Sequence, residues 1–171
     1  GKKRSSRLAP YRIETLVTLR KGARWVEFET KINNNVPNHY LQAAFPTDVD
    51  AEFVYAQGQF DVVKRPIAKP DYSKYDEIPM TEQPMNSFVD ICNENEGAAI
   101  LNTGLKAYES DDDYNHTVYL SLLRCFELRI YVTPEEQNYS RIENGSQSFG
   151  EHTFRYAFMP HKGDWEDAQV W

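Results

Sequence analysis

Residues 11–32, YRIETLVTLRKGARWVEFETKI, decide the fold class. Apolar and polar residues alternate from Tyr11 to Leu19, Arg20-Lys21-Gly22-Ala23 supplies a turn, and alternation resumes from Arg24 to Ile32. In the second run Trp25, Glu27 and Glu29 oppose Val26, Phe28 and Thr30. A period of two places successive side chains on opposite faces of a strand, and two such runs joined by a short glycine-containing turn make an antiparallel hairpin.

The same pattern continues outward. Asn33 to Asn38 (NNNVPN) is turn chemistry, because asparagine tolerates positive φ and proline cannot join a central ladder. Tyr40 to Phe45 follows as a third strand. Further strands are expected at Glu52–Ala56, Gln59–Lys64, Ser87–Asn93, Ala98–Asn102, Leu105–Glu109, Thr117–Cys125 and His152–Met159. The turns at Asn93–Gly97 and Asn102–Gly104 would join Phe88–Glu109 into a three-stranded meander. Two polar loops, Pro66–Pro84 and Thr133–Gly150, lack helical periodicity. The expected fold is all-β, an antiparallel β-sandwich.

With 171 residues the chain can bury one sizeable core, and its net charge of −7 argues against a nucleic-acid partner. Its only basic cluster, Lys2 to Arg7, reads as a solvated end. No apolar run approaches the roughly 18 residues that span a bilayer, so no membrane partner is expected. Cys92 and Cys125 lie in apolar, strand-like surroundings and read as unpaired buried thiols, which points to a reducing, cytoplasmic compartment. Glycosylation acceptor patterns at Asn115, Asn138 and Asn144 are too few to reverse that reading.

Three parts are expected: residues 1–10 as a basic lead-in, 11–163 as the sandwich, and 164–171 as the start of a further helix capped by Asp164. A helix stopping after two turns would have nothing to pack against, so the chain reads as a piece of a larger protein.

Candidate chemistry is sparse. No histidine or cysteine pair has metal-ligand spacing, so no zinc site is expected within this chain. Asp111-Asp112-Asp113 reads as a solvated turn, and neither a phosphate loop nor a nucleophile elbow is present. Glu151 and His152 are acid–base residue types entering an aromatic strand, but strand neighbours point to opposite faces and cannot share one substrate atom. His152 therefore reads first as a structural histidine, with a sugar contact as the alternative. Tyr55, Tyr72, Tyr75, Tyr108 and Tyr114 lie in or beside loops and could either stack on sugar rings or form a wet rim. In QGQFDVVKRP, residues 57–66, Asp61 and Arg65 lie four residues apart on one expected strand, about 13 Å, too far to pair directly. Each needs a partner elsewhere.

Seven stretches also carry a likeness: FETKINN (28–34), HYLQAAFPT (39–47), AEFVYAQGQFDVVKRPI (51–67), QPMNSFVDI (83–91), GAAILNTGLKAYE (97–109), LSLLR (120–124) and FGEHTFRYAFMPHKGDW (149–165). Together, and in this order, they resemble the C-terminal β domain of glycoside hydrolase family 38, the retaining α-mannosidases. The likeness is to the branch holding bacterial α-mannosidases and mannosylglycerate hydrolases. It implies a galactose-mutarotase-like supersandwich belonging to a larger multidomain enzyme, after an α/β barrel and a helical bundle that supply the zinc ligands and both catalytic carboxylates. No catalytic residue and no cofactor is then expected on this chain. The implied partners are its own N-terminal catalytic domain and an α-mannoside, with a homodimer through an exposed interdomain face as a further possibility.

On the same likeness Asp61, Arg65, Glu151 and His152 are candidates for the interdomain surface or the substrate rim. Between Arg124 and Gly150 the resemblance lapses: family members carry an Arg- and Asp-containing loop near the sugar, whereas this chain has CFELRIYVTPEEQNYSRIENGSQSF. Arg124, Arg129 and Arg141 are the basic candidates for that role, or else form surface salt bridges. An autonomous carbohydrate-binding sandwich and a mutarotase-like epimerase are the competing readings.

Overall fold

The computed structural model describes residues 8–74, 76, 80–126 and 144–171. Its strands are β1 (Ile13–Thr18), β2 (Val26–Asn34), β3 (His39–Pro46), β4 (Phe53–Gln57), β5 (Val62–Pro66), β6 (Gln83–Pro84), β7 (Phe88–Cys92), β8 (Glu96–Asn102), β9 (Ala107–Ser110), β10 (Thr117–Cys125) and β11 (Gly150–Lys162). They form two antiparallel sheets, one ordered β1-β2-β11-β8-β7-β4-β5 and one ordered β3-β10-β9-β6. The all-β sandwich read from the alternation is the fold observed.

The opening hairpin pairs as expected, Ile13 opposite Ile32 and Thr18 opposite Glu27. The meander does not form. β7 and β8 are a hairpin of the large sheet, but β9 leaves it to pair with β10 and β6 in the small one. Alternation reports which residues share a face, not which sheet a strand joins. Tyr108 of β9 is wholly buried in the core and is no loop-side platform. The two-residue β6 lies inside the stretch read as loop.

The main core lies between the sheets. Val54, Ile91 and Ile100 from the large sheet meet Val118, Leu120 and Tyr108 from the small one. Aromatic pairs bridge one end of it: Phe28 stacks on Tyr156 at 5.3 Å and Phe45 on Phe158 at 5.7 Å.

A second, smaller core covers the outer face of the large sheet, and it explains why β7 is buried along its whole length. Its cover is the segment from Gly163 to Trp171, whose Trp165, Ala168 and Val170 pack on Phe88, Ala99 and Met159. Asp164 does act as a cap, its Oδ1 accepting from the amides of Glu166 and Asp167, both at 2.9 Å. The helix nevertheless does not develop. Gln169 adopts φ 51°, which turns the chain back so that Val170 points into the cluster, and the segment is a strap of turns. Among the described residues no helix is long and apolar enough to cross a membrane.

Candidate functional site

The five residues singled out in the sequence scatter over the sandwich. Asp61 sits in the tip joining β4 and β5, so Gln59–Asp61 is not strand; its carbonyl accepts from the Gly58 amide at 2.7 Å and its carboxylate from the Val62 amide at 2.7 Å. Phe60 beside it is fully solvent-exposed. Arg65 lies on β5, and its Nη1 donates to the buried Tyr108 hydroxyl at 3.2 Å. Glu151 is exposed. His152 places Nε2 2.7 Å from the Ser148 carbonyl and stacks on Phe154. Asp61 and Arg65 therefore share no site, and Glu151 and His152 meet neither. Tyr75, Asn138, Arg129 and Arg141 lie outside the described residues.

Arg124 is different, because it joins a polar network on the outer face of the small sheet. Alternation turns Leu41, Ala43 and Phe45 of β3 inward and Tyr40 and Gln42 outward. A register shift between Ser121 and Leu123 on β10 lets Arg124 lie opposite Tyr40 on that face. Glu82, just before β6, receives three donors: the hydroxyls of Tyr40 (2.8 Å) and Ser121 (2.6 Å) on Oε1, and Arg124 Nη1 (2.8 Å) on Oε2. Gln42 Nε2 bonds both the Tyr40 oxygen (3.0 Å) and Glu109 Oε2 (2.8 Å), while Thr81 donates to Glu109 Oε1. Met80 and Thr81 also border a cavity of about 230 Å³ lined by Arg65 and Tyr108, so the segment just before β6 links the settings of Arg65 and Arg124.

Chemically this face is built to hold hydroxyls rather than to react. Both Glu82 oxygens are occupied by donors, whereas a general acid or base needs a free site facing substrate. Burial first, and the neighbouring Glu82 and Glu109 charges after it, push the Tyr40 phenol up to about 12, which keeps it a donor at any physiological pH. In the Glu82→Gln variant the Tyr40 pKa should fall but stay above the ordinary value of about 10, since burial is the larger cause. Phenolate absorbance against pH measures both values. A return to the ordinary value would contradict that ranking.

The sequence reading missed another polar centre. On the outer face of the large sheet, under the strap, His161 Nε2 lies 2.7 Å from Asp90 Oδ2, with side-chain exposures of 5% and 0%. Gly97, between them on β8, leaves the room: a Cβ there would stand 2.3 Å from His161 Cε1 and 2.6 Å from Cys92 Cβ. Burial, then the adjacent Asp90 charge, pushes the Cys92 thiol far up, so it is no nucleophile. Cys92 and Cys125 are both free and buried, as expected. The dyad is closed to substrate and acts in the fold. Its members lie on β7 and β11, far apart in sequence, and the one local signal was an aspartate amid otherwise apolar strand residues.

Among the described residues no three His, Cys, Asp or Glu side chains converge to hold a metal ion.

Residues 3–127 match the family described as "Glycosyl hydrolases family 38 C-terminal domain". A putative mannosylglycerate hydrolase of Halalkalibacterium halodurans is 28% identical over 172 residues, covering 98% of this chain and 17% of that protein. Human alpha-mannosidase 2C1 is 27% identical over 159 residues, covering 93% of this chain and 13% of that one. Among solved structures, an alpha-mannosidase from Enterococcus faecalis superposes with a TM-score of 0.77 at 31% identity, covering 98% of this chain and 18% of that one. The chain thus spans less than a fifth of the length of each of these relatives.

Proposed function

Because the chain belongs to the glycosyl hydrolase family 38 C-terminal domains, we propose that it serves as the accessory β domain of a retaining α-mannosidase, packing on the catalytic part and lending its Arg124–Glu82 face to the rim of the substrate site. The observation that carries this reading is the family match, joined to the array of outward donors and acceptors that the described residues place on that face. Tyr40, Ser121, Gln42 and Arg124 present hydroxyl, amide and guanidinium groups already oriented by Glu82 and Glu109. A sugar hydroxyl arriving there meets groups that pay little entropy to bind it.

Packing on a larger body is supported by β1, which among the described residues is an edge of the large sheet. Ile13 and Val17 lie on the side of β1 that their partners Ile32 and Phe28 turn toward the core, yet they are 45% and 56% exposed. That is an unfinished end of the core, suited to cover by a neighbouring domain.

Zinc, which the resemblance implies for such enzymes, would grip sugar hydroxyls as a Lewis acid. The described residues here do not fit it, so no step on this chain passes through the metal. The displacement at the anomeric carbon falls to carboxylates of the catalytic part. What this chain does is bind and orient: Arg124, held by Glu82, positions the outer part of the glycoside.

In the whole polypeptide carrying this domain, Arg124→Ala should raise KM for an α-mannoside about tenfold and leave kcat within about twofold, as loss of a uniform binding contact does. An unchanged KM would sink the rim role.

A further inference from the structure

The outer face of the large sheet, on the other side of the sandwich from Glu82, carries a groove of about 520 Å³ beside the strap. Registers place its residues in rows across β1, β2, β11 and β8: Leu16 opposite Glu29, Glu29 opposite Arg155, Glu27 opposite Ala157, and Ala157 opposite Leu101. Leu16, Trp25, Ala157 and Leu101 supply apolar surface. Trp25, 37% exposed, presents an indole whose Nε1 donates to Glu27 Oε1 at 3.4 Å, which fixes the ring against the sheet.

Two ion pairs flank that surface, Arg20 Nε to Glu27 Oε2 at 3.2 Å and Arg155 Nε to Glu29 Oε2 at 2.8 Å. Among the described residues each guanidinium bonds a carboxylate through Nε, leaving its two terminal amino groups as donors toward solvent. The lining carries two arginines against two glutamates and is formally neutral. Just outside the lining Lys31 Nζ also pairs with Glu29 Oε1 at 3.3 Å, so a cation would meet glutamates already compensated and an anion would meet at most the one positive charge in excess at that end. A neutral molecule with one apolar face and a rim of hydroxyls matches both parts: its face stacks on indole, and its hydroxyls accept from guanidinium and donate to carboxylate.

We propose that this groove is a binding site for a neutral saccharide, with Trp25 as its stacking platform and the Arg20–Glu27 and Arg155–Glu29 pairs as its hydrogen-bonding rim. Only the choice of a mannose probe rests on the family reading. The site itself rests on the groove.

The test is a ¹H–¹⁵N NMR titration of the chain with methyl α-mannoside and with α-mannobiose, following the indole NH of Trp25 and, in every variant, the backbone amides of Ala157 and Leu101 in the groove. A saturable shift in the millimolar range is expected, with affinity falling about tenfold in Trp25→Ala, the scale of one lost stacking contact with its surroundings. Arg155→Gln, at an exposed position, should weaken binding severalfold and serves as the reading if Trp25→Ala fails to fold. Glu94→Gln, in the exposed turn between β7 and β8, should leave this titration unchanged. A stationary Trp25 resonance, or affinity unchanged from the parent chain in both groove variants, would overturn the proposal. So would inorganic phosphate or glycerate shifting the same resonance more strongly than the sugars. The KM of Arg124→Ala does not bear on this outcome, so the rim reading and the groove can fail separately.

Discussion

Replacing Asp90 by alanine is expected to lower the unfolding free energy by about 3–5 kcal/mol, the scale of breaking a buried ion pair and leaving one charge uncompensated. His161 Nε2 would lose its carboxylate acceptor beneath the strap, and Cys92 would face a void. A urea titration reads the loss as a fall in midpoint at unchanged slope. A change below about 1 kcal/mol would mean that the pair adds little beyond what hydrophobic packing already provides. The pH dependence gives a second, sharper readout. Burial works against charged His161, but the hydrogen bond and charge of Asp90, with nearby backbone carbonyls, outweigh it and hold its pKa above the ordinary value. A group whose folded pKa is raised stabilises fully below its unfolded value, about 6.5, and loses that contribution as pH climbs through the folded value. The wild-type chain should therefore weaken as pH rises above about 6.5 and through the raised folded value. Asp90→Asn keeps a hydrogen-bonding group but removes the charge, and it should flatten that decline.

Truncating Phe88 to alanine should cost a similar amount, about 3–5 kcal/mol, through lost burial and an unfilled cavity. Phe88 is 1% exposed and lies at the heart of the smaller core, with the Trp165 ring 6.2 Å away. The strap rests on Phe88, Ala99 and Met159, with Arg24 Nη2 donating to the Ala168 carbonyl at its edge. Loss of the phenyl ring should loosen this cover before the inter-sheet core responds. Hydrogen exchange would then quicken at the amides of Ala168 and Val170 while those of β10 stay protected. Uniform acceleration across both sheets would show instead that the strap unfolds only with the whole molecule.

How far these features could be read beforehand differs between elements for physical reasons. The β1–β2 hairpin and β10 were legible because alternation and turn residues are local signals, and the family likeness was carried by separate blocks in order. The crossing of β9 to the small sheet was not legible, since the Asn102–Gly104 turn fits a hairpin as well as a crossover. Gln59–Asp61 mimicked a strand by alternating, yet Gly58 and Asp61 close a turn there and expose Phe60. Asp164 announced a cap correctly, but the left-handed Gln169 that ends the turn carries no warning in its side chain. The network around Arg124 depends on the register shift in β10 and on Glu82 from a segment read as loop, so only one of its members could be picked out. His161 and Asp90 became partners solely through the pairing of β7 and β11 with β8 between them.

The position of β11 sets the order in which the chain can fold. β11 joins β2 on one side to β8 on the other, and Gly150 pairs with Asn34. Within this domain the β1–β2 hairpin therefore has no place in the large sheet until β11 has emerged. During synthesis β1 and β2 wait as an isolated ribbon, which is marginal in water, with the edge later taken by β11 open to other chains. Long-range closure of this kind is slow, because loop entropy is lost before the pairing rewards it. Aggregation of nascent chains should accordingly concentrate in the interval before β11 is released, and truncations just short of Gly150 should be far less soluble than the complete sandwich.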